Sequence, residues 1–220
     1  MPDAHAPLAD TSDSTPAAAG RKRPKPGERR VQILQTLASM LEQPGGERIT
    51  TAALAARLEV SEAALYRHFA SKAQMFEGLI DFIEDTVFGL ITQIVERESA
   101  AGLGAGHGER QAARIATMLI QFAEKNPGMA RVMVGDALVL ENERLQLRMN
   151  QLFDKVEAAL KQCLREGVAA QASATPTVDV QVRAATVTAF VAGRLQRYAR
   201  SSFKRLPSEH LEPALQLMLG

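Results

Sequence analysis

The chain has 220 residues, 46% of them hydrophobic, with 26 basic and 25 acidic side chains and a net charge of +1. That length allows one or two domains with a sizeable core, and the near-neutral total excludes a protein that meets a polyanion over its whole surface. The single cysteine, Cys163, excludes an internal disulfide and fits a reducing, cytoplasmic setting, and no export signal or membrane span is expected, since no apolar run approaches about 18 residues.

Residues 1–27 are rich in Pro, Ala, Ser, Thr and Asp and are expected to be a disordered arm. The arm ends in Arg21-Lys22-Arg23-Pro24-Lys25-Pro26, which suits phosphates or a minor groove, although a solubilising tail has the same composition. Charge is uneven along the chain. Arg21, Lys22, Arg23, Lys25, Arg29, Arg30, Arg48, Arg57, Arg67 and Lys72 face only Glu28, Glu42, Glu47, Glu59 and Glu62 in residues 21–72, so this end carries the positive excess.

Residues 28–42 read as a first helix with Val31, Leu34, Leu37, Ala38 and Leu41 on one stripe, closed by Pro44-Gly45-Gly46. Three helix starts follow in quick succession. Thr50 caps one helix with Ile49 and Leu54 at staple spacing, and Ser61 caps the next with Val60 and Leu65 at the same spacing. Ser71 and Gln74 have capping-box spacing and begin a long helix. Two short helices and a tight turn over residues 50–69 are the layout of a DNA-binding helix-turn-helix. On the second helix Leu65 and Phe69 face inward, while Ala63, Tyr66 and Arg67 are free to meet base edges and phosphates. A three-helix corner that merely packs has the same periodicity; the basic flanks favour DNA. The DNA-facing set is therefore Arg29 and Arg30 beside the arm, then Thr50, Thr51, Ser61, Ala63, Tyr66, Arg67, His68 and Lys72. Arg67 is the first candidate for base reading, Tyr66 and Lys72 for phosphates, and His68 for a phosphate or packing contact.

The long helix over 71–98 repeats Met75, Leu79, Phe82, Ile83, Thr86, Leu90, Ile94 and Val95 at helical spacing. Gly102 to Gly108 lacks the basic residue and strand context of a phosphate-binding loop and reads as a flexible connection with a solvated His107. Helices are expected over 109–125, 129–140, 141–166, 177–203 and 207–219, with a loop over 167–176. On 141–166, Leu145, Met149, Leu152, Phe153, Val156 and Leu160 point inward, with Cys163 as buried filler. On 177–203, Val180, Val187, Val191, Leu195 and Tyr198 suit the core. A second stripe of Val182, Ala185, Ala189, Ala192 and Gly193 suits the same helix of a second copy, or packing within one chain. Without strand alternation, the fold class is all-α: a disordered basic arm over 1–27, a three-helix head over 28–72, and a larger helical dimerisation body over 73–220. His5, His68, His107 and His210 are far apart and show no metal-ligand spacing, and Glu84-Asp85, Glu141 and Glu143 read as solvated faces. No nucleophile elbow or nucleotide motif is present, so neither an enzyme nor a cofactor is expected.

At Leu65-Tyr66-Arg67-His68-Phe69-x-Ser71-Lys72 the sequence resembles the TetR-type regulators, whose heads carry Tyr-x-x-Phe followed by a Lys opening the fourth helix. From about residue 28 onward it is similar to their nucleoid occlusion branch. That likeness is carried by Arg48-Ile49-Thr50-Thr51-Ala52, Val60 to Phe69, Leu79-Ile80-x-Phe82-Ile83-Glu84-Asp85, Asn126-Pro127-Gly128, Arg148-x-Asn150-Gln151-Leu152-Phe153 and Ser202-Phe203-Lys204. The resemblance implies a cytoplasmic, nucleoid-associated homodimer on palindromic double-stranded DNA, with up to two dimers per site. It also implies capture of the C-terminal tail of FtsZ, the tubulin-like division GTPase, in a groove between the fourth and fifth helices. The matching positions are Phe82, Leu90, Met118, Gln121, Lys125 and Asn126; for Phe82 and Met118 ordinary core is the competing assignment. Glu59 stands where the turn usually has Gly, at a cost of about 1 kcal/mol if the turn is left-handed. Leu90 stands where the family carries a groove Arg, and the Gly102–Gly108 loop and the N-terminal extension have no assigned counterpart. A ligand-responsive repressor is the rival function, and it requires an enclosed apolar pocket.

Overall fold

A computed structural model describes residues 27–44, 46–100, 104, 106–168 and 175–220, so the basic arm expected before Gly27 lies outside the described residues. Among them the chain forms α1 (Glu28–Leu41), α2 (Thr51–Arg57), α3 (Glu62–Tyr66), α4 (Lys72–Ala100), α5 (His107–Lys125), α6 (Pro127–Met133), α7 (Glu143–Val168), α8 (Pro176–Arg200) and α9 (Leu211–Leu219). Two 3₁₀ turns, Gly46–Arg48 and Asp136–Leu138, complete the regular structure, and the described residues contain no strand.

The body is built on α5, α7 and α8, which pack on one another, with α4 and α9 laid against them. On α7 the buried row is Leu145, Met149, Leu152, Val156, Leu160, Cys163 and Leu164, and on α8 it is Val180, Ala184, Val187, Val191, Leu195 and Tyr198. Both follow the expected faces. Burial, and secondarily Glu166, pushes the Cys163 thiol up to about 11, as suits filler rather than a nucleophile.

Several local expectations are corrected. The buried row of α1 is Ile33, Leu37 and Leu41, and Val31 is 54% exposed. The α4 row is Met75, Phe76, Leu79, Ile80, Ile83, Val87 and Ile91, which turns Phe82 outward and leaves Leu90 half-buried. Leu37 and Leu41 on α1 and Met75, Leu79 and Ile83 on α4 are buried as expected, and the apolar residues of both helices are numerous enough for the stripe to be drawn too wide on one side. His107 is not solvated. Helix α5 begins there, two residues earlier than expected, and His107 is buried with Gly108, only 2% exposed. The 129–140 helix is shorter, because Gly135 takes a left-handed conformation between α6 and the 3₁₀ turn. Helix α7 runs on to Val168 and α8 starts at Pro176, and residues 169–174 of the loop expected over 167–176 lie outside the described residues.

Helix α8 stops at Arg200, earlier than expected, through a C-terminal motif without glycine. Ser202 and Phe203 both take positive φ, Phe203 N–H donates to the Tyr198 carbonyl at 3.0 Å and Ser202 N–H to that of Ala199 at 3.1 Å. The Phe203 ring then packs edge-on against Tyr198, 5.1 Å between centroids. This is the apolar contact that accompanies such a cap.

Phe203 also meets Arg131, whose guanidinium lies 4.8 Å from the ring centroid and is 6% exposed. Arg131, on α6, donates through Nη1 to the carbonyls of Leu41 at 2.6 Å and Gln43 at 3.0 Å. Leu41 ends α1, so its carbonyl lacks a helical partner and the body supplies one. The approach is close. A Cβ on Gly128 would sit 2.1 Å from the Ala38 carbonyl oxygen, and one on Gly46 would sit 2.6 Å from Arg131 Nη1. Replacing Arg131 by Met leaves the Leu41 carbonyl unpaired in a closed site, while that of Gln43 keeps the Gly46 N–H at 3.0 Å. Loss of about 3 kcal/mol of stability is expected, read as a lower midpoint in thermal denaturation at fixed protein concentration; an unchanged midpoint contradicts the assignment.

Candidate nucleic-acid interface

The head is assembled by side-chain caps. Thr50 Oγ1 accepts from Ala53 N–H at 3.1 Å, and Ser61 Oγ accepts from Ala64 N–H at 3.3 Å, as their spacing predicts. Ser71 Oγ accepts from Gln74 N–H at 3.2 Å, and the Gln74 side chain accepts from Ala70 N–H at 2.8 Å. The return bond is thus displaced one residue from the usual capping box.

Glu59 has φ 55°. Its N–H donates to the Ala56 carbonyl and that of Val60 to the Ala55 carbonyl, at 3.1 and 3.0 Å, closing α2 as a left-handed cap normally closes a helix. The turn therefore keeps the geometry of its glycine-bearing form.

A bond that sequence reading missed links the two helices. Thr51 Oγ1 donates to Glu62 Oε2 at 2.6 Å, drawing the amino ends of α2 and α3 together. Their partial positive charges converge there, with Ala52, Ala53 and Ala63 exposed beside them. The signal was present as two polar residues at the first positions of adjacent short helices.

Leu65 and Phe69 are buried beneath this surface. Tyr66, 45% exposed, together with Arg67 and His68, forms its outer edge. Arg48 and Arg57 are also exposed on the head and add cations that the sequence-based set left out.

Three residues expected to face DNA are otherwise engaged. The Arg30 guanidinium lies 4.1 Å from the Phe69 ring centroid, and its Nη1 donates to the His68 carbonyl at 2.9 Å, tying α1 to the end of the reading helix. Arg29 Nη1 donates to Gln32 Oε1 at 2.7 Å. Lys72 Nζ pairs with Glu141 at 2.5 Å. Glu84, expected to be solvated, pairs with Arg148, which also meets Asp81 at 2.9 Å, and Arg144 pairs with Glu77. A ladder of opposite charges thus runs between α4 and the start of α7, while Asp85 and Glu143 are exposed.

The residues expected to hold a partner's tail are not gathered in one groove. Met118 and Gln121 line an open groove of about 780 Å³ between α5 and α9, with Ile94, Leu211, Leu215 and Leu219 on its apolar walls. Phe82, Leu90, Lys125 and Asn126 lie outside it. Phe82 is 48% exposed, which removes the ordinary-core assignment, and Met118 is half-buried. Lys125 is exposed, and Asn126 donates through Nδ2 to the Phe122 carbonyl at 2.8 Å at the end of α5. The small-residue stripe of α8 lies outside the protomer core: Val182, Ala189 and Gly193 are exposed, and Ala185 and Ala192 half-buried. Among the described residues no cluster of His, Cys, Asp and Glu could hold a metal ion, and no helix is long and apolar enough to cross a membrane.

Comparison with known proteins agrees with this architecture. Residues 33–79 match the family described as bacterial regulatory proteins, tetR family, and residues 110–219 the tetracyclin repressor-like, C-terminal domain of the SlmA-like type. The chain is 49% identical over 190 residues to the nucleoid occlusion factor SlmA of Idiomarina loihiensis, covering 86% of this chain and 93% of the relative. It is 47% identical over 195 residues to that of Photobacterium profundum, covering 88% and 95%. The crystal structure of the transcriptional regulator FadR from Bacillus subtilis in complex with stearoyl-CoA superposes with a TM-score of 0.64 at 14% identity, over 86% of this chain and 97% of that one. That likeness concerns the fold. With its head and body both matched, this chain belongs to the TetR-type DNA-binding regulators and, within them, to the nucleoid occlusion factors named SlmA.

Proposed function

We propose that this protein is a DNA-activated inhibitor of division-ring assembly. Two copies dock on a palindromic duplex, and the DNA-bound form captures the C-terminal tail of FtsZ, so that no septum is built over the chromosome. The observation that carries this reading is the exposed Tyr66–Arg67 edge on a serine-capped helix, in a chain nearly half identical to nucleoid occlusion factors over most of its length.

Arg67 reads a base edge, Tyr66 and Lys72 hold phosphates, and Ala63 lets the backbone approach the groove floor. Arg30 acts by fixing the end of the reading helix, through the His68 carbonyl and the Phe69 ring. The two copies meet along the outward stripe of α8, where Val178 and Val182 stand exposed with Ala189 and Gly193. Such an isologous contact sets the spacing of the two heads. The tail engages the exposed Phe82 on α4 and the Met118–Gln121 side of α5, with Lys125 available for a carboxylate. Leu90 makes this contact less electrostatic than an arginine would. The rival ligand-responsive repressor requires an enclosed pocket, whereas the α5–α9 groove is open to solvent.

In gel-shift titration Arg67→Ala is expected to weaken binding to the preferred duplex about 10- to 100-fold and to relax its sequence preference. Lys72→Ala is expected to weaken preferred and scrambled duplexes alike. Wild-type affinity in Arg67→Ala contradicts the base-reading role. In a sedimentation assay, FtsZ polymer is expected to be lost only when protein and specific duplex are both present, and to be retained with Phe82→Ala. Polymer loss that is indifferent to DNA contradicts activation.

A further inference from the structure

Lys72 and Glu141 stand 69 positions apart in sequence, yet their charged ends meet at 2.5 Å. The Glu141 side chain is only 10% exposed and that of Lys72 29%. Lys72 is the first residue of α4, immediately after the reading helix and its Phe69 anchor. Glu141 stands two residues before α7, next to Asn142, whose Oδ1 accepts from Arg144 N–H at 2.9 Å.

A lysine ammonium cannot give its full charge to a phosphate while it is held by a carboxylate. The flexible four-carbon stem lets it change partners. A nearly buried carboxylate left alone is costly, but this one lies beside the amino end of a 26-residue helix, whose partial positive charge favours it. Both charges therefore have a second place to go when a duplex arrives.

We propose that Glu141 is a built-in competitor for DNA, holding Lys72 in the free protein and yielding it to a backbone phosphate in the complex. The inference rests on the reading that the head binds duplex DNA through this edge. Glu141 is a positioning residue in this scheme and does not itself touch DNA. Its effect is indifferent to base sequence, because phosphates carry no sequence information. The exchange removes the first rung of the ladder between α4 and α7, so occupancy of the head alters the start of α7.

The test is a double-mutant cycle by fluorescence titration with the preferred and a scrambled duplex at low salt, on the full chain. Glu141→Gln is expected to tighten binding to both duplexes by about 3- to 10-fold and to steepen the salt dependence by up to about 0.9 in log–log slope, one phosphate contact no longer offset by a carboxylate. In the Lys72→Ala background the same change is expected to gain at least 3-fold less. Glu141→Ala should behave as Glu141→Gln and guards against a local defect of either side chain. Weaker or unchanged binding in both Glu141 variants overturns the proposal, as does an equal gain with and without Lys72. If wild type and all variants fail to bind any duplex, the DNA-binding reading has failed instead.

Discussion

Arg131 donates to the last carbonyl of α1 and to Gln43 from a site closed on its other side by the Phe203 ring, and the relation between head and body depends on that contact. A helix end buried without partners is costly, so α1 is complete only when α6 lies against it. The contact leaves no slack. Gly46 and Gly128 are the positions at which a side chain would force the elements apart. Phe203 is held in turn by the left-handed close of α8 and by Tyr198, so the chain from head to body runs through α1, α6 and α8.

Helix α4 makes a second connection. It begins at the reading head, buries Met75 to Ile91 along one face, and carries Glu77, Asp81 and Glu84 to the arginines of α7 on another. Isolated surface pairs contribute little, but a partly buried ladder between two long helices fixes their register. Phe82 remains free on a third face. One helix thus joins Lys72, beside the reading head, to the exposed Phe82.

Much of the head was legible in the sequence, because its determinants are local. Thr50, Ser61 and Ser71 cap helices at the positions their spacing predicts, Leu65 and Phe69 are buried, and Tyr66 and Arg67 face out. Glu59 takes the left-handed turn that the motif requires. What escaped depends on residues far apart in the chain. Nothing near Arg131 marks it as the cap of a helix that ends 90 positions earlier. Nothing near Lys72 or Arg30 reveals that each already has a partner. On α1 and α4 the expected rows hold at Leu37, Leu41, Met75, Leu79 and Ile83 and fail at Val31 and Phe82 for another reason: with apolar residues on more than one side of a helix, only the neighbours decide which row is buried. The same limit applies to the candidate tail site, where Met118 and Gln121 share a groove that Phe82 and Lys125 do not line.

On the proposed reading, duplex binding at the reading helix reaches the body through the Arg131 contact as a change in local stability. Amide hydrogen exchange of the full chain, with and without its preferred duplex, measures this directly. The account predicts slowed exchange at residues 38–43, 126–133 and 198–203 together with the reading helix. Slowing confined to residues 50–72, with the three segments around Arg131 unchanged, would contradict it.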